Sequence, residues 1–195
     1  MTAPRLAGGP RLFLGVFPPA GTSAGLEMAL ARTLEPNPGL SWVEPDRWHV
    51  TLAFLGNTRP EGVPALSEAL GQYAGVCRPF GTVLQGIGAF PTAGEPQQIF
   101  AGVGDKDGSW ESLAVGLRPL LAREGYPMEE RPYRPHLTLG HVKDALAGRS
   151  AISRLNQGTG SFRVEWTVDN FQLVRSWTGT GPRYESLEEF KFGKA

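Results

Sequence analysis

The sequence has few of the side chains that form disulfide bonds or metal sites. Its 195 residues include one cysteine, Cys77, and three histidines. A single cysteine excludes an intramolecular disulfide and a zinc site built on cysteines. No apolar run is long enough to span a bilayer, and the N-terminal stretch with Gly8-Gly9-Pro10 lacks the continuous apolar core of a signal peptide. We therefore expect a cytoplasmic protein that does not bind membranes.

The chain also has no excess of either charge. Its 19 lysines and arginines balance 19 aspartates and glutamates, so the formal net charge is zero. Non-specific affinity for long nucleic acids comes from many phosphate contacts, so this balance argues against a protein that coats them. It leaves room for one or two phosphates held by locally placed arginines.

Two of the three histidines lie in copies of one short pattern. The copies are Trp48-His49-Val50-Thr51-Leu52 and Pro135-His136-Leu137-Thr138-Leu139. Both copies have the alternation and the residue types of β-strands. Side chains two apart in a strand point the same way, so each copy presents an imidazole and a hydroxyl on one face. Two such strands facing each other would offer two proton carriers and two hydroxyl donors, which suits acid–base attack on a phosphate.

Continuing the alternation predicts which other residues share the reactive face. The predicted reactive face is Arg47, His49, Thr51 and Ala53 in the first strand, and Arg134, His136, Thr138 and Gly140 in the second. Phe54 is predicted on the packing face. Counting by twos also turns His141 away from the site, unless a β-bulge after Thr138 reverses the parity. We expect the regular strand, and hence a larger role for Arg134 than for His141.

The order strand, helix, motif strand, helix recurs around both motifs. The predicted strands lie near 12–17, 47–55, 80–90, 97–103, 133–142, 161–168, 170–176 and 183–191, and the predicted helices near 26–34, 60–73, 110–121 and up to 158. Thr58, Pro60 and Glu61 suggest a capping box for the second helix, and Pro119 interrupts the third. This repeat predicts an α+β fold of two lobes, each with an antiparallel sheet, the sheets facing each other and the helices outside. Residues 1–195 are expected to form one bilobal domain, with residues 1–10 as a loose tail.

Four segments resemble one known family. They are Arg11–Pro18, Trp48–Gly56, Tyr133–Leu139 and the closing segment from Val168 to Tyr184. Together they resemble the two-histidine (2H) phosphoesterase superfamily, and within it the RNA 2′,3′-cyclic phosphodiesterase branch, also called 2′-5′ RNA ligase. The family's two-lobed fold agrees with the duplication. This chain departs from the family at Gly140-His141, because the family usually has arginine two residues after the second motif's last leucine.

The resemblance implies a substrate, a product and a set of site residues. The substrate would be a 2′,3′-cyclic phosphate at an RNA end or on a nucleotide, opened to the 2′-phosphomonoester, and the reverse reaction would form a 2′-5′ bond. His49 and His136 would carry protons, with His136 favoured as the base by analogy. Thr51, Thr138 and Arg134 would contact the phosphate. No metal or cofactor is implied, and we expect a monomer.

Other readings of the same residues stay open at this point. A metal site of His49, His136 and His141 lacks the spacings of known histidine motifs and would leave the threonines without a role. A non-catalytic module that binds RNA ends is the main alternative, although both motifs are intact. Within the enzyme class, small cyclic nucleotides or an ADP-ribose cyclic phosphate would also fit. Arg134 could instead pair with Glu129 or Glu130, and the aromatic side chains of Phe13, Phe17 and Trp177 could either pack in the core or stack on a base.

Overall fold

The computed structural model describes residues 9–30, 36–126, 131–158, 162–177 and 183–193. The strands are β1 (Arg11–Val16), β2 (Leu40–Trp42), β3 (Val50–Asn57), β4 (Phe80–Pro91), β5 (Pro96–Gly104), β6 (His136–Val142), β7 (Arg163–Val168), β8 (Asn170–Trp177) and β9 (Arg183–Lys191). The helices are α1 (Ala20–Leu30), α2 (Val63–Val76), α3 (Ser109–Arg123) and α4 (Ala145–Gly158). The order strand, helix, motif strand, helix is present around both motifs, as the sequence predicts.

The strands form one antiparallel sheet of two halves, and each half has a motif strand at its inner edge. The strand order is β7-β4-β5-β6-β3-β1-β8-β9, with β2 paired to the C-terminal end of β6. The motif strands β3 and β6 are central neighbours and meet at the pair Val50–Leu137. The two sheets expected from the sequence are thus the two halves of a single sheet. The pairing of β3 with β6 brings the motifs together.

Helices pack against the sheet, and α3 buries the stripe that its periodicity predicts. Every residue of the predicted α3 stripe is buried, namely Trp110, Leu113, Ala114, Leu117 and Leu121. Helix α3 continues through Pro119 to Arg123. Helix α2 packs on β8 and β9, and α4 packs on β4, β5 and β6. None of the helices in the described ranges is long and apolar enough to cross a membrane.

Three local expectations differ from the structure. The Thr58 hydroxyl donates to the Gly56 carbonyl and does not cap α2, which follows a 3₁₀ turn at Pro60–Gly62. The motif strands begin at Val50 and His136, because a 3₁₀ turn at Pro45–Arg47 precedes the first and Pro135 precedes the second. The sequence pattern did not indicate β2.

Each motif strand has a β-bulge directly after its threonine. Between β1 and β3, Gly15 pairs with Thr51 and the next residue towards the N-terminus, Leu14, pairs with Ala53, so Leu52 is an extra residue. Between β5 and β6, Phe100 pairs with Thr138 and Ile99 pairs with Gly140, so Leu139 is extra. An extra residue reverses the parity of the side chains that follow it. The expectation of a regular second strand is therefore wrong.

The bulges change which residues share the reactive face. Ala53 and Gly140 are buried on the core side and do not line the site. At Gly140 an added Cβ would come within 2.6 Å of the Trp42 ring, so this close approach requires glycine. Phe54 and His141 replace them on the reactive face, whereas the regular alternation turned both residues away from it. Phe54 is 61% exposed, and its ring lies beside that of Phe13.

Candidate active site

The two motif histidines lie close together at the centre of the sheet. His49 lies just before β3 and His136 begins β6. They are close enough that the charge of His136 lowers the pKa of His49. The structure thus brings together the two proton carriers that the sequence singles out.

Both imidazoles are held by the same local hydrogen bond. Nδ1 of His49 donates to the Arg47 carbonyl at 2.7 Å, and Nδ1 of His136 donates to the Arg134 carbonyl at 2.8 Å. A carbonyl oxygen can only accept, so Nδ1 carries the hydrogen in each ring. The other nitrogen, Nε2, is left to accept a proton when the ring is neutral, or to donate one when it is charged.

Aromatic rings enclose His49. Its ring centroid lies 4.8 Å from that of Phe13, 5.2 Å from Phe17 and 5.4 Å from Tyr184. This burial lowers the pKa of His49, while the bond to the Arg47 carbonyl raises it and the charge of His136 lowers it further. The enclosure therefore favours the neutral imidazole.

His136 has a similar but more open environment. The rings of Phe90 and Phe100 lie edge-on to it at 4.9 and 5.4 Å. Burial lowers the pKa of His136, the bond to the Arg134 carbonyl raises it, and the charge of Arg131 lowers it. Since both pKa values are lowered, an anion bound between the rings would restore a proton to one of them.

The two threonines have different surroundings. Nε2 of Gln98 donates a hydrogen bond to Oγ1 of Thr138, which leaves the threonine hydrogen free to donate elsewhere. In the first motif strand, Phe54 occupies the place that His141 has in the second. The partner of His141 on β5 is Gln98, whereas the partner of Phe54 on β1 is the aromatic Phe13. Gln98 was missed because only the strand register places it beside Thr138.

A second missed residue links the motifs. The Tyr133 hydroxyl donates a 3.0 Å hydrogen bond to the carbonyl of Thr51, and burial raises the pKa of this phenol. Tyr133 precedes the second motif while Thr51 belongs to the first. This bond therefore fixes one motif relative to the other.

The arginines next to the motifs lie outside the strands. Arg134 is exposed and precedes β6, so its position does not follow from the alternation within a strand; its carbonyl binds His136. Glu129 and Glu130, its alternative partners, lie outside the described residues. The Arg47 side chain is 20% exposed, with Nε 4.0 Å from the Asp46 carboxylate.

The three predicted stacking candidates separate in the structure. Phe13 and Phe17 contact His49, whereas Trp177 lies at the end of β8 beside the guanidinium groups of Arg175 and Arg183. Within the parts of the chain that the structure describes, no three histidine, cysteine or acidic side chains are grouped so that they could hold a metal ion.

Curated proteins of similar sequence have a common name. The RNA 2′,3′-cyclic phosphodiesterase of Thermus thermophilus is 33% identical over 186 residues, covering 92% of this chain and 89% of that protein. The protein of the same name from Archaeoglobus fulgidus is 32% identical over 154 residues, covering 78% of this chain and 84% of its own.

Solved structures with the same fold cover nearly the whole chain. A Thermus thermophilus crystal structure matches with a TM-score of 0.74 and 32% identity, over 93% of this chain and 97% of that one. Escherichia coli LigT complexed with 3′-AMP matches with a TM-score of 0.74 and 25% identity, over 94% and 98%. The family model of the 2′-5′ RNA ligase superfamily matches residues 22–180. This chain belongs to the 2′-5′ RNA ligase superfamily, a family of 2H phosphoesterases.

Proposed function

We propose that this chain hydrolyses 2′,3′-cyclic phosphodiesters at RNA ends or on nucleotides to 2′-phosphomonoesters, without a metal ion. One observation carries the proposal: two neighbouring imidazoles each have Nδ1 bound to a carbonyl and Nε2 left for proton transfer. The name of the curated relatives, RNA 2′,3′-cyclic phosphodiesterase, supports it. The chain is accordingly an enzyme of the phosphoric diester hydrolase class.

The reaction needs one neutral and one charged histidine. The neutral imidazole takes a proton from water as the water oxygen bonds to phosphorus. The bond from phosphorus to the 3′ oxygen then breaks, and the imidazolium gives its proton to that oxygen. The phosphate stays on the 2′ oxygen. His49 and His136 fill these two roles in this proposal.

Hydroxyl groups stabilise the charge that develops on the phosphate. Thr51 and Thr138 donate to its non-bridging oxygens, and such donors are effective because they are already oriented before reaction. Arg134 and His141, beside the second motif, are further hydrogen-bond donors for the phosphate. The exposed ring of Phe54 on the reactive face offers a surface for the base.

Reversal of the steps would form a 2′-5′ linkage between an RNA 2′,3′-cyclic phosphate end and a 5′ hydroxyl. Metal independence follows from the imidazolium, hydroxyl and guanidinium groups, which together supply the positive charge and donors that the transition state needs. A single bilobal domain, a monomeric state and a cytoplasmic location are further predictions.

The test is hydrolysis of adenosine 2′,3′-cyclic phosphate and of a cyclic-phosphate-ended oligoribonucleotide, with and without EDTA, with the product position identified by chromatography. We expect 2′-phosphate product and equal rates with the chelator. If EDTA abolished turnover and Zn²⁺ or Mn²⁺ restored it, the metal-free mechanism would be wrong. Binding of both compounds without turnover would instead indicate the RNA-end binding module.

A further inference from the structure

A tyrosine connects the candidate active site to a neighbouring surface. The Tyr184 ring meets His49 edge-on at 5.4 Å and Phe13 at 5.2 Å. Tyr184 lies near the start of β9 and is half-buried. The ring thus contacts His49, one of the two proposed proton carriers.

The strand register places an arginine on the same face as Tyr184. Tyr184 pairs with Ser176 of β8, and Ser176 pairs with Arg11 of β1. Paired residues of antiparallel strands point to the same side, and strands lie about 4.8 Å apart, so the α-carbon of Arg11 is about 10 Å from that of Tyr184. An arginine side chain can cover most of that distance.

Two guanidinium groups lie close to the phenol. Burial raises the pKa of Tyr184, while the charges of Arg47 and Arg11 lower it. Arg11 is exposed, and among the described residues it forms no ion pair with a carboxylate. Nε of Arg47 lies 4.0 Å from the carboxylate of Asp46, whose side chain is 83% exposed, so water screens this ion pair.

We propose that Arg11, Tyr184 and Arg47 bind a second phosphate, the one on the 5′ oxygen of the nucleotide whose cyclic phosphate lies between His49 and His136. This inference rests on the proposed function. Guanidinium groups and a phenol hydroxyl are all donors, and arginine matches the geometry of phosphate oxygens. Because the Tyr184 ring contacts His49, the proposed second phosphate site lies next to the site of the cyclic phosphate. In an RNA chain the two phosphates are likewise neighbours, on the two sides of the terminal ribose. The enzyme would then favour RNA ends over bare cyclic nucleosides.

Three substrates separate the possible sources of this phosphate. They are adenosine 2′,3′-cyclic phosphate with a free 5′ hydroxyl, the same compound with a 5′ phosphate, and a diadenylate ending in the cyclic phosphate. We expect kcat/KM to be about tenfold higher for the last two, because charge-assisted hydrogen bonds are among the stronger ones. In the Arg11→Gln variant, the ratio of kcat/KM for each of the last two substrates to that for the first should be close to one. The Arg11→Lys variant should keep part of the preference.

The control and the contrary results are equally specific. Arg154→Gln removes an exposed arginine on α4, far along the chain from this face, and should leave the ratios as in the wild type. Equal kcat/KM for all three substrates, or a preference that survives Arg11→Gln, overturns the second phosphate site. A preference for the diadenylate alone, kept in both Arg11 variants, would mean that the second nucleoside and not its phosphate is recognised. That result also overturns the second phosphate site. Failure to hydrolyse any of the three contradicts the proposed function itself.

Discussion

The hydroxyl of Tyr133 holds the carbonyl of Thr51 at 3.0 Å, across the junction between the two halves of the sheet. The two strands at this junction otherwise pair at Val50 and Leu137. The relative position of the two imidazoles therefore depends on a small number of contacts, of which the Tyr133 bond can be removed by deleting one atom.

The Tyr133→Phe variant tests this dependence. We expect kcat to fall about tenfold with little change in KM, because small misplacements of catalytic groups are costly. Tyr73→Phe is the matched control, since its hydroxyl also donates to a carbonyl, that of Leu113, between α2 and α3. Both variants should lose about 1 kcal/mol of stability in urea unfolding. Equal kcat losses in the two would contradict a role specific to the site.

The lowered pKa values of His49 and His136 predict the pH dependence. The profile of kcat/KM reports the free enzyme, so its bell should centre below the ordinary histidine pKa of about 6.5. A bound phosphate anion raises the pKa of the nearby acid, so the optimum of kcat should lie at higher pH than that of kcat/KM. Steady-state rates between pH 4.5 and 8.5 provide the check. An optimum of kcat/KM above 7 would show that the free-site pKa values are not lowered.

Substitution of the motif residues should separate proton transfer from charge stabilisation. His49→Ala and His136→Ala are each expected to lower kcat by about 10²–10⁴-fold, the usual contribution of a positioned proton carrier. Thr51→Ala and Thr138→Ala should lose less, because each removes one donor among several. Rates measured at the wild-type optimum and two flanking pH values test this. Near-normal turnover of either histidine variant would remove that histidine from the mechanism.

Because of the bulge after Thr138, we expect His141 to contribute more to substrate binding than Arg134, the reverse of what a regular strand predicts. The structure puts His141 on the reactive face opposite Gln98, whereas Arg134 is exposed before the strand. We expect His141→Ala to raise KM for a cyclic nucleotide several-fold, and more than Arg134→Ala does. His141→Arg, which restores the residue type usual in the family, should bind at least as well as the wild type. A larger kcat/KM loss for Arg134→Ala than for His141→Ala would contradict the larger role given to His141.

We expect Gln98 to affect catalysis only by orienting the hydroxyl group of Thr138. Its amide occupies a lone pair of Oγ1, so the Gln98→Met variant should leave the hydroxyl hydrogen without a fixed direction and lower kcat about tenfold. In a Thr138→Val background the same change should have almost no further effect. The double-mutant cycle measures this coupling directly. Additive losses would mean that Gln98 contacts the substrate itself.

Local periodicity was enough to predict the helices and the motif strands. The α3 stripe from Trp110 to Leu121 is buried as expected, because helical spacing alone decides which residues share a face. The proximity of His49 and His136 was predicted from the repeated motif and the family resemblance. These features depend on short stretches of chain.

The features that sequence reasoning missed depend on partners far along the chain. Whether Leu139 is an extra residue is decided by the pairing of β6 with β5 and by the Trp42 ring that takes the space beside Gly140. The bond from Gln98 to Thr138 spans 40 positions, and that from Tyr133 to Thr51 spans 82. No pattern within one segment contains this information.

Each motif imidazole is oriented by a carbonyl of the backbone. In enzymes where a carboxylate orients the histidine, a single substitution can remove the orienting group. Here every residue type at positions 47 and 134 supplies the same carbonyl oxygen. Substitutions at these two positions can therefore change the charge and size of the side chain beside each motif without removing the group that orients its imidazole.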